Sequence, residues 1–189
     1  MTMLIPYDPN IPDPYPAPGW RSVENFKYLW PLVLYRDPIS QKIRRGGTFE
    51  DDDADYVVYG DYTVSYTVDG VETKLTVPSG MLTDLSTVPK LLRGFVGKVG
   101  RHLEASIVHD FLFVAWQLIP GKEAKESDWR FADAVMAAGL KKAMVSRIDQ
   151  VEITTALKLF GWDYYKARDP GPFFFKLPKL SLPADATAP

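Results

Sequence analysis

The sequence predicts an α+β domain in which one small antiparallel sheet packs against a C-terminal bundle of three to four helices. Residues 56–78 alternate between apolar and polar side chains, as half-buried strands do, and apolar residues beyond Pro89 recur at helical spacing. The length agrees with this, because 189 residues, 46% of them hydrophobic and 24% charged, are enough for one globular domain with a buried core.

The first half of the chain contains the predicted strands. Residues 29–35 are apolar and aromatic, and a turn is expected at residues 44–47. Within residues 56–78, Asp69 and Gly70 separate two alternating runs, and this dipeptide is typical of a two-residue hairpin turn. The hairpin is therefore the most specific local prediction.

The second half changes to helical periodicity. We expect helices over residues 89–96, 101–118 and 122–140. A fourth helix is expected to begin at residue 141 and to end at Gly161, because glycine commonly follows the last residue of a helix.

Proline-rich segments lie at both ends of the chain. Six of the 16 prolines fall within residues 1–20 and five within residues 169–189, which leaves residues 21–168 as the core domain. Because proline fixes φ and has no N–H to donate, we expect extended arms at both ends. The arms carry aromatic and aliphatic residues that disordered tails usually lack, so they are expected to lie across a neighbouring subunit. Floppy tails are the alternative.

Composition excludes several classes of protein. The 22 basic and 24 acidic residues give a net charge of −2, which provides no electrostatic footprint for bulk nucleic-acid binding. The absence of cysteine excludes disulfide scaffolds, thiol catalysis and zinc ribbons. No secretory signal and no apolar run long enough for a membrane span is found, so export by the usual route is not expected.

A group of polar side chains in the second half is the candidate for chemistry. Its members are Asp84, Ser86, His109, Asp110 and Asp128. Carboxylates, a hydroxyl and an imidazole are the groups from which a metal site or a general-base site is built. The metal, or any other cofactor, stays unidentified at this point.

Each of these residues also has a structural interpretation. Asp84 and Ser86 stand where side chains cap the start of a helix, and Asp128 lies where a carboxylate favours the helix dipole. His109 fits a core histidine that is hydrogen-bonded to Asp84 or Asp128. Asp110 points about 100° away from His109 around the helix, so it is placed to anchor the loop that holds Thr83.

Two further patterns are weaker candidates for a metal site. His102 lies seven residues before His109, which separates them by ~10 Å along a helix, too far for one ion. The acidic run at residues 50–55 suggests a calcium-binding loop that starts at Asp51, but Tyr56 and Tyr62 then stand where such a loop needs glycine and a bidentate glutamate. We interpret that run as a solvated loop.

The segment that holds the candidate residues resembles a known family. Asp84 and Ser86, the pair His109–Asp110, and a later helix with Asp128 are similar to three motifs of a phage- and prophage-encoded family called domain of unknown function 1353. The chain departs from these motifs at Met81, where phenylalanine is usual, and at Ser127, where alanine is usual. The resemblance extends over about residues 29–161. It implies a bacteriophage context and no activity, because the family is uncharacterised.

Three functions are compatible with these observations. We expect a bacteriophage structural or assembly protein, associated with the virion or tail, whose arms bind other phage structural proteins or further copies of the chain. Such a protein would occupy the host cytoplasm during assembly and the virion afterwards. The alternatives are a metal-dependent hydrolase for cell-envelope degradation or counter-defence, with Asp84, His109 and Asp110 at its site, and a small inhibitor of a host protein.

Overall fold

The fold is given by a computed structural model that describes residues 5–35, 56–83, 102–168 and 172–177. Within these ranges, three helices lie in the C-terminal half of the chain: α1 (Leu103–Leu118), α2 (Glu126–Lys142) and α3 (Arg147–Lys166). The strands are β1 (Ile5–Pro6), β2 (Val23–Tyr28), β3 (Leu34–Tyr35), β4 (Tyr56–Val58), β5 (Tyr62–Val68), β6 (Val71–Val77), β7 (Leu82–Thr83) and β8 (Phe175–Lys176). All their pairings are antiparallel, so the predicted α+β class is confirmed.

The strands form three small sheets in the described part of the chain, where one was expected. Their orders are β2–β5–β6, β3–β4–β7 and β1–β8. The hairpin β5–β6 keeps a regular register from Tyr62 opposite Val77 to Val68 opposite Val71. Asp69 and Gly70 have φ angles of 49° and 83°, as a type I′ turn requires, and the predicted hairpin is confirmed.

The strand expected over residues 29–35 is wrong for most of its length. Only Leu34–Tyr35 pairs there, and Val23–Tyr28 forms the strand beside the hairpin instead. Pro31 lacks the N–H that a sheet ladder needs. In β2, the register shifts between Glu24 and Lys27, and Asn25 in this interval has a φ of 54°. Such an irregularity interrupts the alternation of apolar and polar residues by which a strand is recognised in a sequence.

The described helices match the last three that the sequence predicts, but their bounds differ: α2 begins at Glu126 and continues to Lys142, and α3 begins at Arg147 and not at residue 141. Gly161 does not end the last helix, because α3 continues to Lys166 and Gly161 is buried within it. A Cβ at Gly161 would lie 2.7 Å from Nε1 of Trp129, so glycine is needed there for close packing between helices. The predicted helix at residues 89–96, the turn at 44–47 and the acidic run lie outside the described residues.

The largest hydrophobic core lies between the β2–β5–β6 sheet and the helices. Helix α2 packs against β2, α1 and α3. Tyr62, Val64 and Tyr66 point inwards from β5, and the ring of Tyr66 meets that of Phe131 edge-on at 6.0 Å. No helix in the described ranges has both the length and the apolar character to cross a membrane.

The described parts of the proline-rich arms pack on the same chain. β1 pairs with β8 across the two arms, and the Tyr7 N–H donates to the Phe174 carbonyl at 3.1 Å. Tyr15 is buried in the core, where its hydroxyl donates to the carbonyl of Leu112. Aromatic residues of both arms therefore belong to the core that also holds the helices.

Candidate functional site

Helix α1 carries two of the candidate residues, and the start of α2 carries a third. His109 and Asp110 are adjacent on α1, and Asp128 lies in the first turn of α2. Asp84 and Ser86 lie outside the described residues. Each of the three described candidates contacts a different partner.

The buried His109 pairs with a half-buried carboxylate, Asp133, which is not among the residues predicted from the sequence. Its Nε2 lies 3.0 Å from Oδ1 of Asp133, and the two side chains are 2% and 15% exposed. The ring centroid of Phe113 is 4.2 Å from that of the imidazole and shields it further. Of the two partners expected for His109, Asp84 lies outside the described residues, and the expected bond to Asp128 is replaced by one to Asp133, further along α2.

The sequence around Asp133 indicates that its carboxylate needs a partner. Asp133 stands in the middle of α2 between Ala132 and Ala134, in a stretch that also holds the buried Val135 and Met136. A carboxylate in such a stretch needs a polar partner, because an unpaired buried polar group is costly. The facing histidine on the preceding helix satisfies that need.

Asp110 holds the end of the small β3–β4–β7 sheet to α1. The hydroxyl of Thr83 donates to Oδ2 of Asp110 at 2.6 Å. The expected role of Asp110 as an anchor for Thr83 is therefore confirmed. Although Asp110 follows His109 directly, the helix turns the two side chains toward different partners.

Asp128 connects the start of α2 to the N-terminal arm through a lysine. Its Oδ2 lies 3.1 Å from Nζ of Lys122, and Nζ also lies 2.5 Å from Oδ2 of Asp13. The same ammonium group stands 4.5 Å above the ring of Tyr15. Asp128 makes no side-chain cap, but its place in the first turn is one that the helix dipole favours, as expected.

The arrangement brings His109 together with Asp133 and leaves Asp110 and Asp128 in separate contacts. Within the ranges that the structure describes, no three histidine, aspartate or glutamate side chains stand close enough to hold a metal ion. A carboxylate that binds one ring nitrogen of an imidazole fixes the ring's orientation and tautomer. The pair can act as a base only on a group that reaches His109, which is almost fully buried.

The phenols close to Asp128 are kept neutral. Burial, together with the neighbouring Tyr165 and the charge of Asp128, raises the pKa of Tyr15 far above its ordinary value of 10.0. Burial likewise raises the pKa of Tyr165. Both residues are therefore uncharged at neutral pH.

An open groove of about 440 Å³ lies where the arms meet the sheets. Tyr7, Tyr59, Ser79 and Lys176 contribute to its walls, and the Tyr7 hydroxyl donates to the Ser79 carbonyl at 2.5 Å. None of the described candidate residues lines this groove.

Residues 60–153 match the model of a family described as "Protein of unknown function (DUF1353)". The matched segment includes the β5–β6 hairpin, His109, Asp110, Asp128 and Asp133. It supports the family resemblance found in the motifs, over a shorter part of the chain, and it assigns no activity. No curated protein and no solved structure matches the chain.

Proposed function

We propose that the protein is a bacteriophage structural or assembly protein, associated with the virion or tail, that works by binding neighbouring subunits. The observation that carries this proposal is the packing of the proline-rich arms. Their described parts form strand pairs and bury aromatic side chains, which is the chemistry of protein–protein contact.

The contact between the two arms is suited to exchange between copies. β1 and β8 are two residues each and pair in antiparallel register, so the same pairing can be made by the equivalent segments of two chains. Exchange of an identical element between protomers is an economical route to assembly, because no new surface is required. The arms would then join subunits through the contacts that they make within one chain.

The candidate polar residues and the charge of the chain agree with a binding role. Asp110 accepts a hydrogen bond from the Thr83 hydroxyl and Asp128 pairs with the Lys122 ammonium, contacts that join separate segments of the fold. A net charge of −2 suits contact with other proteins better than contact with nucleic acid.

Incorporation into particles tests the proposal. We expect the chain in purified particles, or in assembly intermediates, of the phage that encodes it when these are measured by quantitative mass spectrometry. Ile5→Asp places a charge on an exposed residue of β1 and is expected to reduce incorporation. Val71→Asp, at an exposed aliphatic residue of the hairpin, is the matched control and should incorporate normally.

Deletion of residues 1–20 is a poorer test, because it also removes Tyr15 from the core. Absence of the chain from particles and from every assembly intermediate would contradict the proposal. Recovery of the chain bound to one host protein instead would favour the inhibitor.

The His109–Asp133 pair favours the metal-dependent hydrolase as a second candidate. An imidazole oriented by a carboxylate is a common part of metal and general-base sites. Elemental analysis of the full chain tests it: a stoichiometric metal that is lost in folded His109→Gln would support the hydrolase. Absence of the metal, with every other function intact in that variant, would remove it.

A further inference from the structure

Helix α3 presents an apolar stripe on its outer side. Ile148, Val151, Thr155 and Leu159 follow one another at intervals of three and four residues, so they lie within about 80° of one another around the helix. All four are exposed, and the exposed fractions of the three aliphatic residues are 71%, 63% and 68%. The start of the helix is fixed by Ser146, whose hydroxyl accepts from the Asp149 N–H at 3.1 Å.

The opposite face of α3 attaches the helix to the domain. Ile153 and Leu157 are buried in a small core with Met136 and Leu140 of α2. Because Ile153 and Leu157 point about 160° away from Thr155, the stripe faces away from the domain. The described part of the chain leaves that stripe uncovered.

Charged residues flank the stripe with a period of 11 residues. Arg147 and Lys158 lie along one edge, while Glu152 and Asp163 lie along the other. An 11-residue period corresponds to about 3.67 residues per turn, so the two edges stay parallel to the helix axis. One edge of the stripe is therefore basic and the other acidic.

We propose that α3 is a self-association surface, on which the apolar stripe of one copy packs in parallel against the same stripe of a second copy. In a parallel pair related by a two-fold axis, the basic edge of each helix faces the acidic edge of the other. Arg147 of one copy then approaches Glu152 of the second copy, five positions further along the sequence. Lys158 approaches Asp163 of the second copy in the same way. This spacing is the one that joins flanking charges in parallel coiled coils. An antiparallel pair would place acidic edge against acidic edge.

Existing contacts of the flanking charges leave room for this pairing. Asp163 forms an ion pair with Lys166 of its own helix at 2.7 Å, but the Asp163 side chain is still 78% exposed. Arg147 and Lys158 are exposed as well. The two domains would lie on opposite sides of the helix pair, because the buried face of each α3 points away from the stripe.

The size of the surface predicts a weak dimer. The stripe is small, because it consists of four exposed side chains and the charges beside them, whereas a standard interface contains about 20 to 30 residues a side. We therefore expect a dimer that forms only at micromolar or higher concentrations of the chain. Weak contacts of this kind gain strength where many copies are held together, as in an assembled particle.

The inference goes beyond the proposed function, because it rests on α3 and not on the arms. A chain that stays monomeric in solution would overturn the self-association of α3. It would not contradict the proposed function, which is tested by incorporation into particles. Loss of incorporation in Ile5→Asp would bear on the proposed function alone.

Sedimentation velocity of the full chain from about 1 to 500 μM tests the dimer. We expect the mass to rise from monomer to dimer over this range. Leu159→Glu should weaken the dimer at least tenfold, whereas Tyr164→Glu, which changes an exposed residue on the other side of the same helix, should leave it unchanged. A monomer at every concentration, or equal effects of the two variants, would overturn the proposal.

A single cysteine tests the parallel arrangement, because the natural chain has none. A parallel pair places residue 148 beside its equivalent, whereas an antiparallel pair centred on Thr155 separates the two by about 20 Å. Mild oxidation of Ile148→Cys at dimer-forming concentrations should give a covalent dimer, and Tyr164→Cys should not. A dimer in which Ile148→Cys fails to cross-link would overturn the parallel arrangement.

Discussion

His109 shows how a buried polar side chain is satisfied in this protein. Its imidazole is nearly inaccessible and its Nε2 is paired with Asp133, which lies 24 positions later on a different helix. Because the buried imidazole would otherwise lack this hydrogen bond, and because the carboxylate is itself largely shielded from solvent, the pair links α1 to α2 more strongly than a surface ion pair would.

A double-mutant cycle measures this link. We expect His109→Gln and Asp133→Asn each to destabilise the chain by about 1 to 3 kcal/mol, with a coupling energy of about 1 kcal/mol or more in urea unfolding. The exposed pair Glu126–Arg130 is the control, and its coupling should be about 0.3 to 0.5 kcal/mol. Equal coupling in the two cycles would contradict the structural role given to His109.

Gly161 is a second residue whose role depends on its surroundings. Gly161→Ala places a Cβ 2.7 Å from Nε1 of Trp129, so packing must shift. We expect the variant to lose about 1 to 2 kcal/mol of stability, even though alanine favours the helix by about 1 kcal/mol. Thr155→Ala, at an exposed position of the same helix, should be neutral or slightly stabilising. A Gly161→Ala chain as stable as the parent would show that the helices are not closely packed there.

At the scale of the element, the β5–β6 hairpin depends on the carboxylate in its turn. Oδ1 of Asp69 accepts from the backbone N–H groups of Arg21 and Ser22 at 2.9 and 2.8 Å. These bonds lower the pKa of Asp69 from 3.8. The folded state therefore binds this proton less readily than the unfolded state, so the stabilisation is present at neutral pH and is lost as the pH falls below about 4.

Asp69→Asn isolates this effect, because asparagine tolerates the positive φ of the turn. We expect the variant to melt at a lower temperature than the parent at pH 7. The difference should shrink as the pH is lowered from 4 to 2, which thermal unfolding at several pH values will measure. A difference that stays constant down to pH 2 would refute the role of the charge.

The N-terminal arm is an element of the core in the part that the structure describes. Tyr15→Ala removes a buried ring, its contact with Phe131 and the bond to Leu112, so we expect a loss of about 3 to 5 kcal/mol in denaturant unfolding. Tyr164→Ala, at a 75% exposed tyrosine, should change stability by less than about 0.5 kcal/mol. Equal effects would mean that the arm does not pack on the core in solution.

For the whole molecule, buried tyrosines make the fold sensitive to alkali. Burial raises the pKa of Tyr15, Tyr28, Tyr62, Tyr66 and Tyr165 above 10.0. Because the folded phenols hold their protons more tightly than the unfolded ones, their contribution is complete below pH 10 and is lost as the pH rises above it.

Urea unfolding between pH 8 and about 11.5 should therefore show a constant stability at first and a steep fall above pH 10. The absorbance of tyrosinate should rise in two stages, first from exposed tyrosines and then together with unfolding. Ionisation of all ten tyrosines before any loss of structure would contradict their burial.

The sequence by itself determined the features that depend on neighbouring residues. The Asp69–Gly70 turn, the three described helices and the α+β class follow from local periodicity and backbone preference, and all three are present. The contact between Asp110 and Thr83 also followed, because it needs only the direction in which a helix turns its side chains.

Tertiary structure alone decided which distant groups meet. His109 pairs with Asp133 and not with Asp128. Gly161 allows two helices to pack closely and does not end a helix. The described residues of the arms pack on their own domain. These outcomes depend on the approach of segments that are far apart in the chain, which periodicity does not encode. The physical reason is that burial and hydrogen bonding are settled by the whole core, whereas helix and turn preferences are settled within a few residues.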